Sequence, residues 1–248
     1  MLSVRLRGEI LMTTRAVLFD FGGTLYDYAA LAVGDRECLL ALVEWSGIRA
    51  DEAAIRRAQR DAMRRVFQAY LPRRFYLHRD LFRDAAAAML EALGAAPRAE
   101  HLERFRQMQW DRHRRDFVLR AGVLDTLGAL RDRGLHVGMV SNIDEDQLDH
   151  LIDVAGLRDA FDSLLSSEAA GACKPDPAIF AEALRRAGCA PSEALFVGDT
   201  LAQDIAGANR AGMRSVLIWH RDDKPPPTAD GAAPDHVIRA IPELLDLV

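Results

Sequence analysis

Three polar side chains follow apolar runs of the sequence at the point where each run ends. Asp20 closes AVLFD, Ser141 closes LHVGMVS, and Asp199 closes ALFVGD. Continuous apolar runs of this kind are typical of buried parallel strands, and ligands bind beyond the carboxyl ends of such strands. We therefore expect the three side chains to meet at one rim, where carboxylates can bind a divalent cation or attack an electrophile.

Two further charged residues are candidates for the same site. Asp204 follows Asp199 by five positions, and Lys174 lies in the segment CKPDP. The chain has only two lysines against 30 arginines. Because a lysine carries a compact point charge and an arginine a broad planar one, the choice of lysine at position 174 indicates a place where a compact cation is useful.

The elements that would position these residues alternate between strand and helix. Strands are predicted at 16–20, 135–141, 161–167, 194–199 and 214–219, with a short edge strand at 235–238. Helices are predicted at 122–133, 144–155, 176–187 and 202–211. This alternation predicts an α/β fold with a doubly wound parallel sheet. The Pro- and Asp-rich stretch 221–235 predicts a surface loop.

Residues 27–115 differ from the rest, because they contain no convincing strand. Their periodicity predicts helices at 34–46, 51–70, 78–93 and 98–115. We expect an α/β core domain of residues 12–26 and 116–248, an inserted α-helical cap domain of residues 27–115, and either a disordered extension at 1–11 or translation starting at Met12.

Charge also separates the two parts. Residues 27–115 hold 17 arginines and 13 acidic residues, a net charge of +4, and the remainder carries −9, which together give the net −5 of the chain. A basic lid over an acidic core would attract an anionic substrate while the core holds a cation. The alternative is that these arginines coat exposed helix faces.

Composition limits the class of protein. The net charge of −5 argues against a general nucleic-acid binder, and no apolar run approaches the ~18 residues that cross a membrane. The three cysteines form no CxxC pair and are interpreted as free thiols in a reducing cytoplasm. Motifs of P-loop, dinucleotide-binding and serine-hydrolase proteins are absent. The sequence gives no indication of oligomeric state.

The candidate residues fall in four motifs that resemble those of the haloacid dehalogenase-like superfamily. The run DFGGTL at 20–25 resembles the nucleophile motif DxDGT(L/V), and Ser141-Asn142 resembles the second motif. Lys174 matches the third motif, and GDTLAQD at 198–204 matches the fourth, GDxxxxD. The helical segment between the first two motifs resembles the cap shared by haloacid dehalogenases and many small-molecule phosphatases.

The resemblance implies a Mg²⁺-dependent phosphatase that forms an aspartyl-phosphate on a small anionic phosphorylated substrate. The catalytic residues would be Asp20 and Lys174. The substrate phosphate would be bound by Gly23, Thr24, Ser141, Asn142 and Lys174. The metal would be held by Asp20, the carbonyl of Gly22, Asp199 and Asp204, the last either as a ligand or by orienting Asp199 and the metal's water.

Gly22 departs from the pattern of the family's phosphatases. They usually carry a second aspartate at this position, which protonates the leaving oxygen and then activates water. Loss of a general acid–base typically costs ~10²–10⁴ in rate, so hydrolysis is expected to be slower and not abolished. Asp27 is one candidate substitute; its alternative role is a helix cap. A second interpretation is a catalytically decayed relative that binds a phosphometabolite or a protein.

Two sibling chemistries fit the sequence less well. Phosphonatases of the superfamily use a cap lysine, and residues 27–115 contain none. Haloacid dehalogenases lack the paired acids of the fourth motif, whereas Asp199 and Asp204 are both present. The cap residues Arg73, Arg74, Tyr76 and His78, near a helix break at Pro72, either contact substrate or form an ordinary exposed loop.

Overall fold

The core of the protein is a six-stranded parallel sheet. The computed structural model describes residues 13–220, 224–226, 228–229 and 231–248. Its strands, in chain order, are β1 Ala16–Phe19, β2 His136–Ser141, β3 Ser163–Ser166, β4 Ala194–Gly198, β5 Arg214–Ile218 and β6 His236–Ile238. Their spatial order is β3-β2-β1-β4-β5-β6, with every neighbouring pair parallel. The predicted sheet is confirmed, including the edge position of β6.

Helices cover both faces of the sheet. On one face, α5 (Val123–Asp132) and α6 (Glu145–Ala155) pack on the side of Val17 and Phe19. On the other face, α8 (Pro177–Ala187) and α9 (Ala206–Arg210) pack on the side of Ala16 and Leu18. Because successive side chains of a strand point to opposite faces, the four buried residues of β1 supply both layers. The core is therefore doubly wound.

The position of β1 explains why its end is the meeting point of the sheet. This strand lies between β2 and β4, with Phe19 opposite both Met139 and Val197. The strand order reverses here, since β2 lies on one side of β1 and β4 on the other. Such a switch point leaves a crevice beyond the carboxyl ends of the strands. Asp20 is the first residue in that crevice.

Four helices lie between β1 and α5, in the segment 27–115 that we call the helical insert. They are α1 Tyr28–Trp45, α2 Glu52–Tyr70, α3 His78–Ala92 and α4 Ala99–Asp116. Helix α2 packs on α3 and α1 on α4, around an apolar cluster that includes Leu42, Met89 and Leu90. All four predicted helices form. Helix α1 starts six residues earlier than predicted, because the Asp27 carboxylate accepts a hydrogen bond from Ala29 N at 2.9 Å and caps it.

The helix predicted at 202–211 is not regular. Residues Leu201–Ile205 form a wide π-type turn, and only Ala206–Arg210 is α-helical. The carboxylate of Asp204 turns back to accept hydrogen bonds from the backbone N–H (3.0 Å) and the hydroxyl (2.5 Å) of Thr200. A π-bulge of this kind is frequent at functional sites, where a side chain must be re-aimed.

The remaining differences are local. The strand predicted at 161–167 ends at Ser166, whose hydroxyl caps a short helix, α7 Ser167–Ala170. The extension predicted at 1–11 and parts of the loop predicted at 221–235 lie outside the described residues. Among the residues that are described, no helix combines the length and apolarity needed to cross a lipid bilayer.

Candidate active site

Asp20 is anchored where β1 enters the crevice. Its backbone N–H donates to Val197 O at 2.8 Å, and the residue is only 6% exposed. One carboxylate oxygen, Oδ2, accepts a hydrogen bond from Thr24 Oγ1 at 3.0 Å. The other, Oδ1, lies 2.6 Å from Lys174 Nζ and 3.5 Å from Ser141 Oγ. The structure therefore brings together four of the side chains that the sequence predicted.

Lys174 is the centre of a buried charge network. Its Nζ lies 2.6 Å from Asp20 Oδ1 and 2.7 Å from Asp204 Oδ1, and the residue is 3% exposed. Burial by itself would lower the pKa of Lys174, but the charges and hydrogen bonds of the two carboxylates outweigh it and raise the pKa. The side chain is thus a permanent ammonium at the bottom of the crevice.

Asn142 holds the backbone that carries this ammonium. Its Oδ1 accepts from Lys174 N at 2.6 Å, and its Nδ2 donates to Lys174 O at 3.0 Å. The same amide nitrogen donates to Gln203 Oε1 at 3.2 Å. From the sequence we expected Asn142 to bind the substrate phosphate. The side chain has a different use, since it couples the segment after β2 to the loop of Lys174.

Three carboxylates crowd the same space. One oxygen each of Asp20, Asp199 and Asp204 lies within 4.8 Å of the others. Burial, followed by the negative charges of Asp20 and Asp204, raises the pKa of Asp199 to about 7. Burial also raises the pKa of Asp20, against the opposing pull of Lys174. When all three carboxylates are ionised, they and the one ammonium carry an excess of two negative charges, which a divalent cation with oxygen ligands would balance.

Gly23 is required by this arrangement for two reasons. Its φ of +83° lies in the left-handed region, which side-chain-bearing residues rarely adopt. In addition, a Cβ at this position would lie 2.1 Å from Asp199 Oδ2. The Arg120 guanidinium fixes the loop from outside, with hydrogen bonds to Gly23 O at 2.9 and 3.2 Å. Gly23 thus allows the carboxylate of Asp199, in the fourth motif, to approach the loop that follows Asp20 in the first motif.

A cavity of about 1070 Å³ opens above the carboxylates. Its floor is formed by the ends of the strands and its walls largely by the helical insert. It is lined by Asp20, Gly22, Ser141, Asn142, Asp199 and Asp204 from the predicted site. The insert contributes, among others, Tyr76, His78, Arg79, Phe82, Arg106 and Trp110.

The insert residues considered from the sequence divide into two groups. Tyr76 and His78 line the cavity, whereas Arg73 lies over the ring of Tyr70 and Arg74 lies 3.8 Å from Asp176. Other wall residues, such as Trp110, were missed because helical periodicity identifies the apolar face of a helix but not the surface that this face meets.

Asp144 was also missed, and it joins the insert to the core. Its carboxylate is 1% exposed and accepts hydrogen bonds from His78 N and Arg79 N, both at 2.7 Å. These are the first two amides of α3, so a core residue that follows β2 caps a helix of the insert. Burial raises the pKa of Asp144, and the two amides oppose this. The sequence predicted only that a helix begins at position 144, and in the structure Asp144 is the residue immediately before α6.

Asp27 does not join the site. Its carboxylate caps α1, lies 3.4 Å from Arg120 Nη1, and faces a separate cavity of about 330 Å³. The helix-cap interpretation is therefore confirmed. The structure therefore does not place Asp27 as a substitute for the acid that position 22 lacks.

Comparison with known proteins agrees with this geometry. Residues 14–212 match the family model of the haloacid dehalogenase-like hydrolases. The chain belongs to this family. It is 35% identical to a glyceraldehyde 3-phosphate phosphatase of Methanopyrus kandleri, over 94% of this chain and 97% of the relative. As a member of this family the chain is a hydrolase. A second relative, a ribulose-1,5-bisphosphate 5-phosphatase of Halopiger xanaduensis, is 29% identical over 94% of this chain and 98% of the relative.

Solved structures of the family share the fold. A phosphatase of Thermococcus onnurineus superposes with a TM-score of 0.67 at 28% identity, covering 94% of this chain and 97% of the other. An L-2-haloacid dehalogenase of Xanthobacter autotrophicus superposes with a TM-score of 0.72 at 25% identity, covering 95% and 98%. The fold is common to both chemistries, so the choice between them depends on the residues of the site.

Proposed function

We propose that this haloacid dehalogenase-like hydrolase is a Mg²⁺-dependent phosphatase that hydrolyses a small phosphate monoester through an aspartyl-phosphate on Asp20. The observation that carries the proposal is the buried cluster in which Lys174 pairs with Asp20 and Asp204 while Asp199 lies alongside. With its carboxylates ionised, this cluster carries an excess of two negative charges that would repel a phosphate unless a cation were bound. The cluster thus favours a metal-dependent reaction.

The residues present fit Mg²⁺. This ion prefers one or two carboxylates, with substrate phosphate and water completing six oxygen ligands. Asp20 and Asp199 would supply the carboxylates and Gly22 a carbonyl oxygen. Asp204, whose oxygens accept hydrogen bonds from Lys174 and Thr200, would either bind the ion or orient Asp199 and the ion's water. Bound Mg²⁺ would neutralise phosphate charge next to the carboxylates.

The side chains around Asp20 suit it to covalent catalysis. A carboxylate oxygen of Asp20 would attack phosphorus, forming the Asp20 O–P bond as the ester P–O bond breaks. Lys174 and Thr24 hold the carboxylate in one orientation through the bonds at 2.6 and 3.0 Å. Such positioning converts a collision between two molecules into a step within one complex.

The same surroundings would bind the transferring phosphoryl group. Its negative charge spreads over three oxygens, so fixed donors and cations stabilise the transition state. Ser141 would donate its hydroxyl, Gly23 and Asn142 their backbone N–H groups, and Lys174 its charge. Thr24 would brace the loop, as its hydrogen bond to Asp20 indicates.

The helical insert would act as a cap domain over a core of residues 12–26 and 116–248. Two observations support this role: the insert lines a cavity much larger than a phosphate ion needs, and it contributes Arg79 and Arg106 to the walls. The organic part of the substrate would lie against this cap. We place the enzyme in the cytoplasm, consistent with the free thiols of Cys38, Cys173 and Cys189.

The charge cluster also argues against dehalogenation. A haloacid has no phosphate group that could bind a divalent cation together with the protein. Three carboxylates around one ammonium would also repel the carboxylate of a haloacid. Release of chloride from 2-chloropropionate without metal would contradict the phosphatase proposal. A decayed enzyme would instead bind phosphate in the presence of Mg²⁺ without turnover.

The test is hydrolysis of p-nitrophenyl phosphate and of a panel of phosphorylated metabolites, with and without Mg²⁺. We expect turnover that requires Mg²⁺ and that Asp20→Asn abolishes. The matched control is Asp27→Asn, a change to a carboxylate of the same loop that faces the other cavity; it should leave turnover nearly unchanged. Metal-independent turnover, or full activity in Asp20→Asn, would refute the proposal.

A further inference from the structure

The space beside Gly22 is filled by a tyrosine that comes from outside the four motifs. A Cβ built on Gly22 would lie 2.1 Å from the hydroxyl oxygen of Tyr28 and 2.9 Å from its Cζ. In an aspartate, the Cβ is roughly 2.4 Å from each carboxyl oxygen, as bond lengths dictate. The phenolic oxygen is therefore as close to the Cβ position as the carboxyl oxygens of an aspartate at position 22 would be.

The backbone fixes Tyr28 in this place. It is the first residue of α1, and the N-cap Asp27 holds the start of that helix through Ala29 N. Tyr26 pairs with Gly22 across the loop, so the segment returns to the nucleophile motif before the helix begins. Tyr28 lines the cavity that contains Asp20 and Asp199. Its side chain thus reaches the crevice from the junction between core and insert.

Other candidate proton donors fit this position less well. The Tyr26 hydroxyl is farther from the Cβ position, at 3.1 Å, and its ring is packed between Phe21 and Phe117. The imidazole of His78 lines the cavity, but burial, followed by the charge of Lys174, lowers its pKa to about 4, so it carries no acidic proton at neutral pH. Although the Tyr28 residue is 58% exposed, its ring packs against Tyr26 and its hydroxyl interacts with that of Tyr26. Burial of the hydroxyl, followed by the charges of Tyr26 and Asp20, raises the pKa of Tyr28 well above its ordinary value, so the hydroxyl keeps a proton to donate at neutral pH.

We propose that the Tyr28 hydroxyl contacts the leaving oxygen of the substrate and performs the proton transfers for which Gly22 has no side chain. This inference rests on the proposed phosphatase function. As the ester P–O bond breaks and the Asp20 O–P bond forms, the proton of Tyr28 passes to the leaving oxygen and a phenolate remains. The phenolate then takes a proton from water, whose oxygen attacks phosphorus and releases Asp20. The hydroxyl is restored, and alcohol and phosphate are the products.

The position of Tyr28 also accounts for the glycine at position 22. Any side chain at position 22 would collide with the Tyr28 hydroxyl in its present place. An aspartate at position 22 and a tyrosine hydroxyl from position 28 are thus alternative occupants of one space. We therefore expect an aspartate introduced at position 22 to replace the function of Tyr28 when the side chain of Tyr28 is removed at the same time.

The test uses substrates that differ in their need for a proton. A p-nitrophenolate leaves readily without one, whereas the alkoxide of an alkyl phosphate does not. With Mg²⁺ present, Tyr28→Phe should lower kcat/KM at least about 100-fold for an alkyl phosphate and less than about tenfold for p-nitrophenyl phosphate. The matched control is Tyr70→Phe, whose hydroxyl donates to Asp84 outside the cavity and whose loss should show no such dependence on the leaving group.

A rescue variant makes the test independent of folding defects. Tyr28→Ala empties the space beside Gly22. The double variant Tyr28→Ala, Gly22→Asp should hydrolyse the alkyl phosphate at least about tenfold faster than Tyr28→Ala alone. Equal loss on both substrates in Tyr28→Phe, the same leaving-group dependence in Tyr70→Phe, or no rescue by Gly22→Asp would overturn the role of Tyr28 alone. Absence of any Mg²⁺-dependent turnover by the wild type would overturn both this role and the phosphatase function.

Discussion

Replacing Asp144 by alanine should loosen the helical insert from the core. The carboxylate accepts two hydrogen bonds of 2.7 Å from the first amides of α3, and at 1% exposure it is shielded from solvent. Hydrogen bonds to a charged group contribute roughly 1.5–3 kcal/mol each, and loss of an N-cap costs about 0.5–2 kcal/mol. Burial, which raises the pKa of Asp144, offsets part of this gain. We expect a net loss of about 3 kcal/mol in the free energy of unfolding.

The measurement is urea unfolding at neutral pH, combined with hydrogen exchange of the α3 amides. Asp144→Asn is informative as well, because its amide can accept from only one of the two N–H groups and presents a donor to the other. The matched control is Asp146→Ala. Asp146 is 46% exposed and lies 3.6 and 3.7 Å from Arg79 and Arg106, so its removal should change stability by less than about 0.5 kcal/mol.

The location of the effect matters as much as its size. Exchange should accelerate most at the first turn of α3, which Asp144 caps, and less in the sheet. If Asp144→Ala cost no more than Asp146→Ala, or if protection fell evenly over the whole chain, the interpretation of Asp144 as the link between core and insert would be wrong.

Two further predictions concern His78 and Gly23. The pKa of His78 is lowered from 6.5 to about 4, so the unfolded chain binds a proton more readily than the folded one, and stability is full above pH 6.5 and falls as the pH drops toward 4. In urea unfolding, wild type should therefore lose about 2 kcal/mol more than His78→Phe between pH 7 and pH 5. Equal losses in the two proteins would refute this prediction. Gly23→Ala should weaken Mg²⁺ binding at least about tenfold, measured by calorimetry. The alanine Cβ would displace Asp199 Oδ2, and the positive φ at position 23 would strain the alanine backbone. An unchanged Kd for Mg²⁺ would contradict the assigned metal site.

Much of the site was predictable because strand ends are visible in the sequence. Asp20, Ser141 and Asp199 each follow an apolar run, and parallel strands place such residues at one edge whatever the details of packing. The helices of the insert were predictable for a similar reason, since α1, α2 and α3 bury apolar residues at helical spacing, and partly buried residues of α4, such as Leu102 and Phe105, pack against them. The π-type turn before α9 was not, because it depends on where the Asp204 carboxylate finds its donors.

What the sequence by itself determined is the order of the elements and the identity of the charged groups at the end of β1. Only the tertiary structure decided which side chain fills the space beside Gly22, which carboxylate caps α3, and that Asp27 faces away from the cavity. The physical reason is that periodicity and motif spacing are properties of one segment. These contacts instead join segments whose relative placement is fixed by packing of the whole molecule.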